Sequence, residues 1–234
     1  MSRCFELCDG YPRSLRQEFQ STYTPESVNA AAYSPKHHKL YLVERDHVYV
    51  YKVSGEIPDL EYTYLVHFSL QDNDDSNNVF CVNSPSSPMR SAPRHITTLV
   101  ISNDGVLAFS DRQMFKFTPT PLYPEDRVAV DEEFCGGEWE HVGRVDTPCS
   151  SCAPVAARSS GEKFYLYYKQ QNTTWKFDLH ETHGVLEGDW LSEKCIPETY
   201  EDICIEDVTA AYRVGHDIYF ILGKCTFCIN WEHI

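Results

Sequence analysis

Four stretches of the chain repeat one order of apolar and polar positions. Each begins with small residues, turns, runs through apolar and aromatic residues, turns again, and ends in alternating aromatic and polar residues. The stretches are 28–52, 96–117, 154–177 and 208–229. Alternation with period two, rich in aromatic and β-branched residues, favours strands over helices. The pattern therefore predicts four copies of a three-stranded unit.

Spacing is nearly constant within the units and variable between them. The first strand ends at Tyr33, Val100, Arg158 and Tyr212, and the middle strand centres on Tyr41, Leu107, Tyr165 and Tyr219. An aromatic residue of the third strand follows at Tyr49, Phe115, Trp175 and Phe227. Because loops absorb extra length at small cost whereas strand registers do not, insertions should lie between the units.

The middle strands are apolar or aromatic on both faces, as in KLYLV, FYLYY and IYFIL. A strand of this kind has to be covered on both sides, as when sheets stack face against face. The sequence therefore predicts an all-β fold, a four-bladed β-propeller with long inter-blade loops, in a single domain over 1–234. The blades are expected at 26–70, 95–130, 152–190 and 206–234. Outer strands are predicted at 62–68 and near 138–145, with Trp139 and Trp190 beneath connecting loops.

Small residues recur at one place in every unit, in the first strand. In a propeller this strand lines the central channel, where four chains approach closely. We therefore predict that Ala31, Thr98, Ala156 and Ala210 line the channel; small core residues would give almost the same pattern.

The net charge of −15 makes nucleic acid an improbable partner and favours cations, polyamines or basic protein surfaces, although acidity also serves solubility alone. No run of 18 apolar residues predicts a membrane span, and MSRCFELCDG has no apolar core typical of a signal peptide. The chain is then either cytoplasmic or a mature secreted chain behind an added Met.

Ten cysteines, an even number, favour disulfides in an oxidising compartment, with metal binding in the cytoplasm as the alternative. Two CxxC pairs, Cys149 with Cys152 and Cys225 with Cys228, could together bind zinc. They are far apart in sequence, so disulfides are the preferred interpretation. Asn172 begins an N-x-T sequon, a glycosylation candidate if the chain is secreted.

No catalytic signature is present: the histidines lack HExxH spacing, the acidic clusters lack EF-hand spacing, and phosphate loops are missing. We therefore expect neither an enzyme nor a cofactor, and no histidine pattern supports haem ligation.

The fourth unit, VTAAYRVGHDIYFILGKCTFCIN, resembles a hemopexin repeat, with Ala210, Tyr219 and Gly223 carrying the match. The resemblance implies a four-bladed propeller around a narrow channel that holds ions on backbone carbonyls. It also implies closure of the 1–25 segment against the last blade by a disulfide, for which Cys4, Cys8, Cys225 and Cys228 are candidates. The Asp that usually precedes the small pair is Thr209 here, and the places near Ala30, Thr97 and Val155 are not acidic either. A channel ion is therefore in doubt.

The function expected from the resemblance is a secreted, non-catalytic module that binds a protein partner, one with a basic surface if charge guides recognition. Residues 71–95, rich in Ser, Pro, Asn and Asp, are the first candidate for contact. Two alternatives stay open: a carrier of haem or a polyamine at the channel mouth, and an intracellular scaffold stabilised by zinc.

Overall fold

The computed structural model describes residues 13–14, 18–56, 59–69, 93, 95–102, 105–119, 137–145, 154–160, 163–168, 173–178, 184–186, 189–192, 208–215, 217–222 and 225–230. Their strands, in chain order, are β1 (Arg13–Ser14), β2 (Ala30–Ser34), β3 (Lys39–Glu44), β4 (His47–Ser54), β5 (Glu61–Ser69), β6 (Thr98–Ser102), β7 (Gly105–Ser110), β8 (Gln113–Pro119), β9 (Gly137–Val145), β10 (Pro154–Ser160), β11 (Lys163–Tyr168), β12 (Thr173–Asp178), β13 (Gly184–Leu186), β14 (Asp189–Ser192), β15 (Ala210–Val214), β16 (Asp217–Leu222) and β17 (Cys225–Asn230). The all-β prediction is confirmed for this part of the chain.

The strands form four sheets. Their orders are β2-β3-β4-β5, β6-β7-β8-β9-β13, β10-β11-β12-β14 and β15-β16-β17-β1, and within each sheet the first three strands are consecutive and antiparallel. The predicted three-stranded unit is thus present four times. The predicted outer strands are also confirmed, as β5 and β9.

Strand register places the repeated aromatic residues at one equivalent position. Tyr49 lies opposite Leu42, Phe115 opposite Ala108, Trp175 opposite Leu166 and Phe227 opposite Phe220. The first-strand anchor differs in the first unit, where Tyr41 pairs with Ala32 rather than Tyr33. The reason is the first hairpin, whose turn has four residues (35–38) where the other units have two.

Two outer strands come from distant parts of the chain. Strand β1 pairs antiparallel with β17, with Ser14 opposite Cys225. Strand β13 leaves the third unit and pairs in parallel with β9, at the edge of the second sheet. The first pairing ties the start of the described chain to its last strand; the domain bounds themselves stay a prediction.

Three apolar clusters lie between sheets, and the first and second sheets each use opposite faces for two neighbours. Ala30, Ala32 and other residues of the first sheet pack with Leu99 and Ile101 of the second. The other face of the first sheet, with Ala31 and Leu42, packs with Tyr212 and Ile221 of the fourth. The second sheet in turn uses residues such as Val100 and Phe109 against Phe164 of the third. This arrangement explains why the middle strands of these two sheets, β3 and β7, are apolar on both faces.

The innermost strands pack against one another. Strand β2 lies beside β6 and β15, and β10 also lies beside β6 and β15. Strand β2 approaches β10 as well. Small buried residues, such as Ala30, Ala31, Ala210 and Ala211, permit this close approach of four backbones.

Both tryptophans singled out in the sequence lie in outer strands. Trp139 lies in β9 opposite Phe117 and is buried in the interface between the first two sheets, and Trp190 lies in β14 opposite Trp175. Their position beneath connecting loops stays a prediction. Within the described ranges, no helix is long and apolar enough to traverse a bilayer.

Candidate functional site

The four residues predicted to line a channel all lie on innermost strands. Ala31, Thr98 and Ala210 are buried. Register makes Thr98, Ala156 and Ala210 equivalent, and their counterpart in the first sheet is Ala30, so Ala31 lies on the opposite face of β2. The channel-lining role stays a prediction.

The threonines that precede the small residues form hydrogen bonds within their own sheets. Thr97 donates hydrogen bonds to the carbonyl oxygen of Phe109 from its amide (2.8 Å) and its hydroxyl (3.1 Å). Thr209 makes the same pair of bonds to Ile221, at 2.8 and 3.1 Å. A threonine that donates its proton in this way anchors the first strand to the second. The expectation that the chain holds no cofactor stays a prediction.

The predicted cysteine and sequon sites fall largely outside the described residues. Cys4, Cys8, Cys149, Cys152 and Asn172 lie there. Cys225 and Cys228 lie three positions apart in β17, as the sequence predicted. In the described part of the chain, no three His, Cys, Asp or Glu side chains are grouped so that they could hold a metal ion. The disulfide and zinc alternatives both remain untested.

An exposed group of aromatic rings on the first sheet is the strongest candidate for binding. Its members are Tyr49 of β4, Tyr64 and His67 of β5, and Tyr23 from the segment before β2; with the Glu44 carboxylate we call them the tyrosine–histidine surface. Tyr23 stacks on Tyr64 at 4.8 Å between ring centroids and on His67 at 5.8 Å. His67 stacks on Tyr49 at 5.5 Å. Tyr64 and His67 also lie 6.3 Å apart with an angle of 39° between their planes, so the four rings form one compact group, and Tyr23 is 53% exposed.

A β-bulge at Leu65 creates this arrangement of rings. Val50 pairs with Val66 and Tyr51 with Tyr64, which leaves Leu65 unpaired as an extra residue. Since side chains alternate along a strand, the extra residue brings Tyr64 and His67, three positions apart, to the same face. Leu65 itself is 37% exposed.

Hydrogen bonds hold the polar groups of the surface in place. The Tyr64 hydroxyl lies 2.7 Å from Nδ1 of His67. Oε1 of Glu44 accepts bonds from the amide and hydroxyl of Ser27 (2.9 and 3.1 Å), and Oε2 accepts one from the Tyr49 hydroxyl (3.3 Å). All three donors to Glu44 are neutral, so its negative charge is held in place without being neutralised by them.

Burial and neighbouring charge act on the tyrosine hydroxyls. Partial burial raises the pKa of Tyr49, and the carboxylates of Glu44 and Glu26 raise it further. Partial burial also raises the pKa of Tyr64. Both side chains therefore stay neutral at physiological pH, and the local field is negative. Such a surface can stack planar groups and attract cations.

The second sheet carries a related pair. Phe115 lies opposite His141, as Tyr49 lies opposite His67, and the rings meet edge to face at 5.3 Å. Nε2 of His141 lies 2.7 Å from Oε1 of Gln113. Here the outer-strand bulge falls between Met114 and Phe115, two pairs nearer the strand start than in the first sheet, counted by register.

Sequence reasoning missed the tyrosine–histidine surface. The alternating tyrosines of β4 were visible as a strand signal, but the bulge that aligns Tyr64 with His67 has no mark in the sequence. Tyr23 joins the tyrosine–histidine surface through tertiary packing. Its main-chain carbonyl accepts a hydrogen bond from the Tyr51 hydroxyl at 3.1 Å.

The fold is similar to that of several plant seed proteins. A 2S albumin seed protein from Dolichos matches with a TM-score of 0.53 and 12% identity, over 83% of this chain and 82% of that one. A hemopexin fold protein, CP4 from cow pea, matches with a TM-score of 0.53 and 11% identity, over 86% and 84%. A plant lectin with two metal binding sites from Cicer arietinum matches with a TM-score of 0.53 and 13% identity, over 87% and 86%. At these identities the likeness concerns the fold alone.

No protein-family model matches the chain, and no curated protein matches it in sequence.

Proposed function

We propose that the chain is a hemopexin-like, four-bladed propeller that acts as a non-catalytic binding module for a protein with a basic surface. The fold similarity to a hemopexin fold protein supports the architecture. So does the packing of the innermost strands, in which β2 and β10 each lie between β6 and β15. An experimental structure in which β15 does not lie beside β2 would refute the ring.

The observation that carries the binding role is the tyrosine–histidine surface. It lies beside the buried cluster of the first sheet, against which Tyr49 and Tyr64 pack, so its rings are presented on a rigid support. Rigid aromatic residues contribute strongly to protein interfaces because they bury much area at low entropic cost. The net charge of −15 and the Glu44 carboxylate favour a partner of positive charge. Some of the structural neighbours are described as albumins or lectins, which agrees with a binding role and leaves the ligand open.

Binding to peptides of opposite charge tests this function. Immobilised protein is exposed to hexalysine and to hexaglutamate, at low and at high salt. We expect hexalysine to bind and hexaglutamate to fail. The hexalysine affinity should fall as salt rises, because exposed charges are screened beyond about 10 Å at 0.1 M salt. Equal binding of both peptides, or binding that ignores salt, would contradict a charge-guided interface.

The small-ligand alternative predicts a different response. A carrier of haem would show a visible absorbance band when haem is added, and a polyamine carrier would gain thermal stability with spermine. A response to haem or spermine that survives replacement of Tyr23 and Glu44 would place binding elsewhere and favour the carrier.

The ten cysteines support an extracellular location with disulfides over an intracellular zinc scaffold. Mass spectrometry after thiol alkylation, with and without prior reduction, tests this directly. Alkylation of most cysteines only after reduction is the expected result. Full alkylation without reduction, together with bound zinc in the native protein, would favour the scaffold.

A further inference from the structure

We propose that the tyrosine–histidine surface recognises an arginine side chain of its partner. This inference rests on the proposed function and names the chemical group that the surface takes. Its basis is the combination of stacked ring faces with a carboxylate that is oriented by neutral donors.

The rings form a stacked, partly exposed group. Tyr23 stacks on Tyr64 (4.8 Å between centroids, 18° between planes) and on His67 (5.8 Å, 29°), Tyr64 and His67 lie 6.3 Å apart at 39°, and His67 stacks on Tyr49 (5.5 Å, 24°). Tyr23 and His67 are exposed, whereas Tyr49 and Tyr64 are half-buried. A ligand can therefore reach the exposed parts of Tyr23 and His67 without first moving the group.

The Glu44 carboxylate lies beside Tyr49, on one side of the group of rings. Glu44 bonds to the Tyr49 hydroxyl at 3.3 Å, and its other oxygen bonds twice to Ser27. These bonds orient the carboxylate before any partner arrives. A cation placed over Tyr49 would meet both the negative face of the ring and the charge of Glu44.

Arginine fits this arrangement better than lysine. Its guanidinium is planar and stacks on aromatic rings, while its fixed donors match a carboxylate. Its methylene stem can lie along apolar ring faces. Lysine brings a strongly hydrated point charge that gains little from stacking on an aromatic ring. The surface should therefore distinguish two peptides of equal charge.

The test compares hexaarginine with hexalysine on the full chain, with affinities measured by titration calorimetry at fixed salt. We expect hexaarginine to bind more tightly by roughly threefold or more, the effect of an exposed cation–π contact. Tyr23→Ala should remove most of this preference, and Tyr23→Phe, which keeps the ring, should retain it. Thermal unfolding of each variant establishes that it is folded.

Charge is tested by a matched pair on the first sheet. Glu44→Gln keeps the size of the side chain and should weaken hexaarginine binding by roughly two- to fivefold. Glu61→Gln removes one charge from an exposed residue at the start of β5, outside the surface, and should change affinity much less. Thr63→Ala shortens an exposed side chain of the same strand outside the surface and serves as the control for Tyr23→Ala.

The outcomes separate the two proposals. Equal binding of both peptides, unchanged by Tyr23→Ala, would overturn the arginine inference and leave a basic partner in place. Failure of both peptides to bind would overturn the proposed function itself. Equal losses from Glu44→Gln and Glu61→Gln would show general charge attraction and would also refute a site at Glu44.

Discussion

A buried hydrogen bond joins the first and fourth sheets, and its removal should destabilise the fold. The hydroxyls of Tyr62 in β5 and Tyr212 in β15 lie 2.9 Å apart in the apolar interface between the two sheets. Tyr212→Phe keeps the ring and removes one hydroxyl, so the Tyr62 hydroxyl loses this partner. Loss of a partner for a buried polar group costs about 1–3 kcal/mol.

Tyr219 is a matched control for this change. Its ring stacks on that of Tyr212 with a centroid distance of 5.0 Å and an angle of 7°, so both tyrosines share one environment. The Tyr219 hydroxyl is buried and has no hydrogen-bond partner within the part of the chain that the structure describes. Tyr219→Phe should therefore leave the free energy of unfolding unchanged or raise it slightly, because no bond is lost.

Urea unfolding followed by circular dichroism measures both variants, at constant redox conditions. For a chain of this size, each kcal/mol corresponds to about 2–4 °C in Tm. Tyr62→Phe and the double variant complete a double-mutant cycle, in which the double variant should cost less than the sum of Tyr62→Phe and Tyr212→Phe. Equal losses from Tyr212→Phe and Tyr219→Phe, or strict additivity in the cycle, would refute the reasoning.

Three further predictions concern buried groups. Burial raises the pKa of Tyr51, Tyr212 and Tyr219 above the usual 10.0, so below pH 10 these groups are neutral in both states and stability is unaffected. Above pH 10 these tyrosine hydroxyls ionise only in the unfolded chain, so the free energy of unfolding should fall by about 1.4 kcal/mol per pH unit for each tyrosine. Urea titrations between pH 9 and pH 11 measure this fall, and its absence would contradict the burial of these groups. Thr98 is fully buried and its hydroxyl has no hydrogen-bond partner among the described residues, so Thr98→Val should raise stability by about 1 kcal/mol. A loss of stability measured by urea unfolding would instead indicate a bound group at that hydroxyl. Phe19 is 1% exposed, and its ring centroid lies 4.8 Å from those of Tyr51 and Tyr62. Phe19→Ala should therefore lower the free energy of unfolding by about 3–5 kcal/mol. A change below about 1 kcal/mol would show that the segment around Phe19 does not support the core.

Much of the strand framework was predictable from the sequence. Strand pairing needs only period-two alternation and turn chemistry, and both are local. The aromatic residues Tyr49, Phe115, Trp175 and Phe227 were found from spacing alone, and strand register confirms that they are equivalent. The doubly apolar middle strands predicted that sheets pack on both of their faces, and this is confirmed for the first two sheets.

The candidate site was not predictable in this way. Its formation depends on an unpaired residue, Leu65, which reverses the alternation of β5 and brings Tyr64 to the side of His67. Nothing in the local pattern distinguishes a bulged strand from a regular one, because a bulge is chosen by its partner strand and by packing. Tyr23 could not be placed either, since it joins the tyrosine–histidine surface from outside the repeated units.

The sequence by itself determined how many sheets form and which residues lie in their middle strands, because those features follow from backbone periodicity and burial. Tertiary structure alone decided which distant segments meet. It placed β13 on the second sheet, β1 against β17, and the Tyr62 hydroxyl against that of Tyr212. Such contacts depend on the path of the chain between units, and loops of variable length leave no periodic signal from which that path could be inferred.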